Sequence, residues 1–100
     1  MTNILVHGLG QDEGSWNEVK NQLNNNGINV ETPNLFYFVK NYKVNYENMY
    51  KAFADYCNSF NGKINLVGLS LGGVLAIDYI TEFPEKINSI ILIGTPYEIP

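Results

Sequence analysis

The sequence predicts an α/β fold, a three-layer α/β/α sandwich built on a parallel sheet. Three observations carry this expectation. Strand-like and helix-like segments alternate along the whole chain, with no internal repeat and no low-complexity linker. The last strand-like run, residues 87–93, is a nearly continuous series of Ile and Leu, the pattern of a strand covered on both faces. Two glycine-rich segments, residues 7–10 and 68–73, each follow a strand and therefore fall at one edge of the sheet, where α/β folds bind ligands.

The elements follow in order. Ile4, Leu5 and Val6 form a short β-rich apolar run that ends at Gly8. Residues 16–25 read as a helix, with Trp16, Val19, Lys20 and Leu23 at helical spacing and Ser15 as the cap. Asn25, Asn26 and Gly27 are a stop signal. Residues 28–31 form a second strand, closed by Pro33. Residues 34–46 are aromatic and irregular, with Phe36, Tyr37, Phe38, Tyr42 and Tyr46, and read as a loop. The stretch 48–60 reads as a helix whose apolar stripe is Met49, Phe53, Tyr56, Cys57 and Phe60. After Asn61 and Gly62 come a third strand (64–67), a sharp turn (68–72) and a third helix (71–83) ended by Pro84. The fourth strand, 87–93, completes the order βαβαβαβ, which requires right-handed crossovers between parallel strands.

Bulk composition narrows the function classes. The chain has 100 residues, the size of one small domain, with 45% hydrophobic residues. A chain this short buries about two thirds of the surface its unfolded form exposes, so modest stability is expected. Its net charge is −4, and all six basic residues are lysines spread along the chain. There is no basic patch to neutralise phosphates, so nucleic acid is excluded as an expected partner. No apolar run approaches a membrane span. The N-terminal residues lack the pattern of a signal peptide. Cys57 is the only cysteine, so no intrachain disulfide and no thiolate metal site is expected, and a reduced cytoplasmic setting fits.

The chemistry is concentrated in the two glycine segments. Gly68-Leu69-Ser70-Leu71-Gly72 matches Gly-x-Ser-x-Gly between a strand and a helix, the setting of a nucleophile elbow. The chain reverses there within a few residues, and a Cβ at position 68 or 72 would be crowded by neighbouring backbone. Ser70 is expected in a strained conformation that lifts its Oγ clear, at a helix N-terminus that favours developing negative charge. No Lys follows the turn, so a phosphate-binding loop is disfavoured. His7-Gly8-Leu9-Gly10 follows the first strand, and acyl transfer needs two donors aimed at the tetrahedral oxyanion. The expected donors are the backbone N–H groups of Leu71 and Leu9. His7 is the only histidine; it is read as a structural residue shaping the turn through a backbone hydrogen bond, with a general-base role as the alternative.

These residues resemble the α/β-hydrolase family. The resemblance rests on His7-Gly8-Leu9-Gly10, Trp16 at the start of the next helix, Gly68-Leu69-Ser70-Leu71-Gly72-Gly73, the Phe83-Pro84 helix end, and the strand finishing in Gly94-Thr95-Pro96. It implies that residues 1–100 are the N-terminal part of a single domain, with strands ordered second, first, third, fourth. It implies Ser70 as nucleophile, Leu9 and Leu71 as oxyanion donors, Gly8, Gly10, Gly68 and Gly72 as turn residues, and no metal or cofactor. It also implies an acid and a histidine after the serine, yet no histidine follows Ser70. Glu98 stands where a few members carry the acid. At Pro33-Asn34-Leu35 the chain departs from relatives with a Gly-rich loop; the aromatic stretch could line an acyl pocket or pack on the helices. A serine nucleophile disfavours the branches that use Asp or Cys. The resulting expectation is a serine hydrolase acting on a small acyl substrate, such as a carboxylic ester, through an acyl-enzyme, with this segment nearly inactive by itself. The alternative is a non-catalytic binding or assembly module, in which Ser70 and the loop hold a carboxylate or a small ligand, or an exposed sheet edge pairs with a partner chain.

Overall fold

The computed structural model describes residues 1–8, 12–40 and 43–95. Its elements are β1 (Thr2–Val6), a 3₁₀ turn (Glu13–Trp16), α1 (Asn17–Asn25), β2 (Val30–Glu31), α2 (Leu35–Phe38), α3 (Tyr46–Asn58), β3 (Ile64–Leu69), α4 (Leu71–Glu82), a second 3₁₀ turn (Pro84–Lys86) and β4 (Ile87–Ile93). The four strands form one parallel sheet in the order β2-β1-β3-β4, the order the resemblance implies.

Alternation along the strands divides the interior. Ile4 and Val6 of β1 and Ile64 and Leu66 of β3 face α3 and α4, where they pack with Phe53, Cys57, Leu75 and Tyr79. Leu5, Val67 and Leu69 face the other way, toward Trp16, Leu23 and Val30 beside α1. Two unequal cores on opposite faces of one sheet make the three layers. At the N-terminal end of the strands the α1 face turns polar. Asn65 Nδ2 donates to Asn3 Oδ1 (2.8 Å), while Asn88 Nδ2 and Ser89 Oγ donate to Asn65 Oδ1 (2.8 and 2.7 Å).

Four local expectations are corrected. Ser15 does not cap α1. Asp12 caps the 3₁₀ turn that precedes it, accepting from the Gly14 N–H at 2.8 Å, and Ser15 Oγ accepts from the Asp12 N–H in return. The second strand shrinks to two residues, and Ile28 is exposed, because the Schellman closure of α1 claims it: the Ile28 N–H donates to Leu23 O at 2.9 Å. Residues 35–38 are helical rather than loop; Asn34 Oδ1 accepts from the N–H groups of Phe36 and Tyr37 at 2.9 and 3.0 Å. Finally, β4 is not covered on both faces. It is the edge strand of the described sheet, and Ile91, Leu92 and Ile93 are 55%, 42% and 46% exposed.

The α3–α4 pair is tied by tyrosines. Tyr46 OH donates to Asp78 Oδ2, and Tyr50 OH donates to Glu82 Oε1 at 2.8 Å. Burial, followed by these carboxylate partners, holds both phenols above their ordinary range. Burial also pushes the Cys57 thiol up, from 9.0 to about 12, against a smaller opposite pull from Lys86. When the folded value of an acid is raised, the unfolded chain gives up its proton first, and above the ordinary pKa that favours unfolding. Stability from Cys57 is therefore fully present below about pH 9 and is lost as pH climbs toward about 12. Thermal melts followed by circular dichroism should show Tm falling above pH 9, with a shallower slope in Cys57→Ala. A Tm independent of pH up to 11 would contradict the burial of these groups.

Candidate active site

β3 ends at Leu69 and α4 begins at Leu71, so Ser70 is the entire turn between them. Its backbone sits at φ 54 and ψ −112, and it is the one non-glycine residue with positive φ among those described. This region is costly for a side chain and persists only where surroundings enforce it. Here they do. The Ser70 N–H donates to Ile93 O of β4 at 2.9 Å, and the Ser70 carbonyl accepts from the N–H groups of Gly73 and Val74 at 2.9 and 3.2 Å. Ser70 itself is exposed at the carboxyl edge of the sheet.

The glycines permit the approach of three elements. A Cβ on Gly68 would lie 2.6 Å from Gly73 Cα, a backbone-on-backbone collision across the turn. A Cβ on Gly72 would lie 2.7 Å from His7 O and 2.8 Å from the Val6 carbonyl carbon. The first turn of α4 is thus pressed against the end of β1, with Gly72, two residues after Ser70, lying on the backbone of Val6 and His7. Gly73 leaves room for Thr95, whose Cβ would be 2.8 Å from an added methyl. Leu71 is the first helical residue, so its N–H has no intrahelical acceptor.

His7 is fully buried, and both ring nitrogens are engaged. Nε2 accepts from the Leu35 N–H at 2.9 Å, so that nitrogen carries no proton. Nδ1 lies 2.9 Å from Gly8 O and, as the protonated nitrogen of this tautomer, donates to it. The ring also lies 6.0 Å from that of Phe36, centroid to centroid. Sequence reasoning missed the link from His7 to Leu35. Its one signal was the Pro33-Asn34 pair ahead of the aromatic run, an opening for a capped turn.

The aromatic stretch divides. Phe36 and Phe38 pack on the larger core, whereas Tyr37 is exposed. A surface cavity of about 260 Å³ is lined by Asn48, Lys51, Ala52 and Asp55, none of them a residue of the elbow. Leu9 and Gly10, expected in the loop after β1, and Glu98, the position considered for an acid, lie outside the described residues.

A four-strand parallel sheet with a strained serine at a strand-to-helix turn defines the class: an α/β protein built like a hydrolase. The comparisons agree. A family model described as the alpha/beta hydrolase fold matches residues 4–100, and the chain belongs to that family. Among solved structures, the chain is similar to an extracellular α/β-hydrolase from a Paenibacillus species, itself described as sharing structural and functional homology with tobacco salicylic acid binding protein 2 (26% identity, TM-score 0.83, 99% of this chain and 42% of that one). It is similar also to a pyrethroid hydrolase from Sphingobium faniae JZ-2 (25% identity, TM-score 0.77, 99% of this chain and 42% of that one). Tomato methylketone synthase I shares the fold at 22% identity and TM-score 0.79, over 99% of this chain and 41% of its own. An uncharacterized protein of Mycobacterium tuberculosis is 26% identical over 96 residues, which are 91% of this chain and 28% of that protein. The chain therefore spans about two fifths of the length of these solved structures and under a third of that curated relative.

Proposed function

We propose that this chain supplies the nucleophile and the oxyanion hole of a serine hydrolase acting on carboxylic esters or related small acyl compounds. The observation that carries the reading is Ser70: an exposed hydroxyl-bearing residue in a conformation that few side chains tolerate, held there from β4 and α4 and placed beside the end of β1. Strain of this kind is retained where it serves chemistry. In the proposed reaction, Ser70 Oγ attacks the acyl carbonyl carbon while its proton passes to a histidine from residues outside these 100. The oxyanion is held by the N–H groups of Leu71 and Leu9. The intermediate collapses, the alcohol leaves with the histidine's proton, and water then cleaves the acyl-serine ester by the same route. His7 is not assigned as the base, because neither ring nitrogen is open to the serine. Gly8, Gly10, Gly68 and Gly72 are assigned to shaping the two turns. A cytoplasmic setting belongs to the same proposal and rests on the lone Cys57; one similar structure is that of an extracellular protein.

A fluorophosphonate probe tests the reading. The complete protein should be labelled at Ser70, and Ser70→Ala should not be labelled. The isolated 100-residue chain should react at least about 10³-fold more slowly, since the base is missing. Rapid labelling of the isolated chain, or none of the complete protein, would refute the proposal. The second reading, a binding or assembly module, is favoured by one observation: among the described residues no strand pairs with the outer edge of β4, where Ile91, Leu92 and Ile93 are exposed. Under that reading the complete protein hydrolyses no ester and the probe labels neither it nor Ser70→Ala.

A further inference from the structure

The two sides of the strained serine are held by different elements, and we infer that Thr95 ties those elements together and so positions the elbow for catalysis. This rests on the reading of Ser70 as nucleophile and of the Leu71 N–H as an oxyanion donor. The conformation of Ser70 is set by the angle between two peptide planes. The plane before it carries the Ser70 N–H, which donates to Ile93 O of β4 at 2.9 Å. The plane after it carries Ser70 O, which accepts from the N–H groups of Gly73 and Val74 in α4 at 2.9 and 3.2 Å. Thr95 Oγ1 lies 3.4 Å from Ile93 O and 3.5 Å from Ser70 O. One hydroxyl therefore spans the acceptor of the first plane and the carbonyl of the second. Both separations are longer than an ordinary hydroxyl bond, so its single proton is shared between the two carbonyls.

The surroundings are shaped for this side chain. β4 ends at Ile93, and Gly94, at φ 57, turns the chain back over the elbow helix in a conformation open to glycine. Thr95 then lies flat on Gly73. A methyl at position 73 would overlap Thr95 Oγ1 and stand 2.8 Å from its Cβ and its Cγ2. The bare face of Gly73 is the seat of Thr95, and the seat places the hydroxyl over the first turn of α4. Ser70 O and the Leu71 N–H belong to one planar, trans peptide unit, in which they point in opposite directions. Whatever holds Ser70 O therefore aims the Leu71 N–H. The bonds within α4 hold that carbonyl relative to the helix. Thr95 holds it relative to β4, the strand that also takes the Ser70 N–H. Oxyanion donors gain their effect from being aimed before the charge develops. Thr95 is thus a positioning residue, acting through the Ser70–Leu71 peptide and not on the reacting atoms.

Two substitutions in the complete protein, assayed with p-nitrophenyl butyrate, separate the hydroxyl from the packing. Thr95→Val keeps the branched shape and removes the hydroxyl; Thr95→Ser keeps the hydroxyl and removes the methyl. Thr95→Val should lose about tenfold in kcat, less than the loss of a whole oxyanion donor, with KM changed less than about twofold. Thr95→Ser should keep kcat within about threefold of wild type. An alkyl trifluoromethyl ketone supplies a readout that packing alone would not move. Ser70 Oγ adds to its carbonyl carbon, the serine proton passes to the histidine, and the oxyanion so formed meets the Leu71 N–H. The inhibition constant should rise about tenfold in Thr95→Val, in step with kcat, and stay within about threefold in Thr95→Ser. If Thr95→Val does not fold, Thr95→Ala takes its place with the same expectation. Equal losses in the hydroxyl-free and the serine variants, or a hydroxyl-free variant within about twofold of wild type in both kcat and inhibition, would overturn the inference. Ser70→Ala is assayed alongside. If it retains activity, the reading of Ser70 falls and this inference with it; if it is dead while Thr95→Val matches wild type, only the inference falls.

Discussion

Gly72→Ala is expected to destabilise the fold severely. The added methyl would stand 2.7 Å from His7 O and 2.8 Å from the Val6 carbonyl carbon, which is backbone on both sides. Side chains can rotate out of a clash; this backbone has nowhere to go. Val6 is fully buried and in register with Gly68 of β3, so shifting it away would open the central pair of the sheet. Moving α4 instead would pull Leu75, Ala76 and Tyr79 out of the larger core. Overpacking in such a setting costs about 3 kcal/mol or more. That is a large share of the roughly 5–15 kcal/mol that holds a domain together, and this chain is small. Gly62→Ala is the control. Gly62 has φ +75 with nothing within 4 Å of its would-be Cβ, so it carries backbone strain alone, about 1 kcal/mol. Urea titration of the complete protein should place the Gly72→Ala midpoint far below that of Gly62→Ala. Similar midpoints would show that the turn can relax and that α4 is not pinned to β1.

Ser70→Gly is expected to destroy activity while raising stability. Relief of a non-glycine residue at φ 54, ψ −112 returns about 1–3 kcal/mol. Glycine's extra freedom in the unfolded chain takes back about 0.5–1 kcal/mol. The net gain is about 1 kcal/mol, a few degrees in Tm. Ser70→Ala keeps a Cβ and with it the strain, so it should abolish activity with no comparable gain. Loss of hydrolysis in both should approach the roughly 10⁶-fold scale of a removed triad serine. The informative quantity is the stability difference between the two variants, because both lack the hydroxyl. Ser70→Gly melting below Ser70→Ala would mean that position 70 is not strained, and the central argument for a nucleophile would go with it.

The site was legible to different depths. The elbow could be read because its demands are local: a strand, a serine, two glycines and a helix within a few residues, each glycine set by the tightness of the turn. The pairing of the elbow with the end of β1 could be anticipated only as two glycine segments at one sheet edge. The contact of Gly72 on Val6 and His7 adds what spacing does not contain. The helix at 35–38 is hidden from a local reading because its first amide is satisfied by His7, 28 residues earlier, and no window around Leu35 includes that partner. Asp12 displaced Ser15 as the cap because a 3₁₀ turn precedes α1, and short turns of that kind have no hydrophobic period to announce them.

The sequence by itself determined the alternation of strands and helices, the parallel sheet, the position of the elbow and the residue at its apex. These follow from period, from glycine placement and from the limits on φ and ψ, all of which act over a few residues. Only the tertiary structure decided which strands lie at the edges, which ring nitrogen of His7 meets which backbone group, and how much of β4 is covered. The apolar run 87–93 states that a strand would be stable when buried on both faces, but burial depends on neighbours. In the described fold one flank of β4 meets β3 and the other meets none, so three of its apolar residues stand open. A strand's pattern records the environment it suits, and packing alone determines the environment it has.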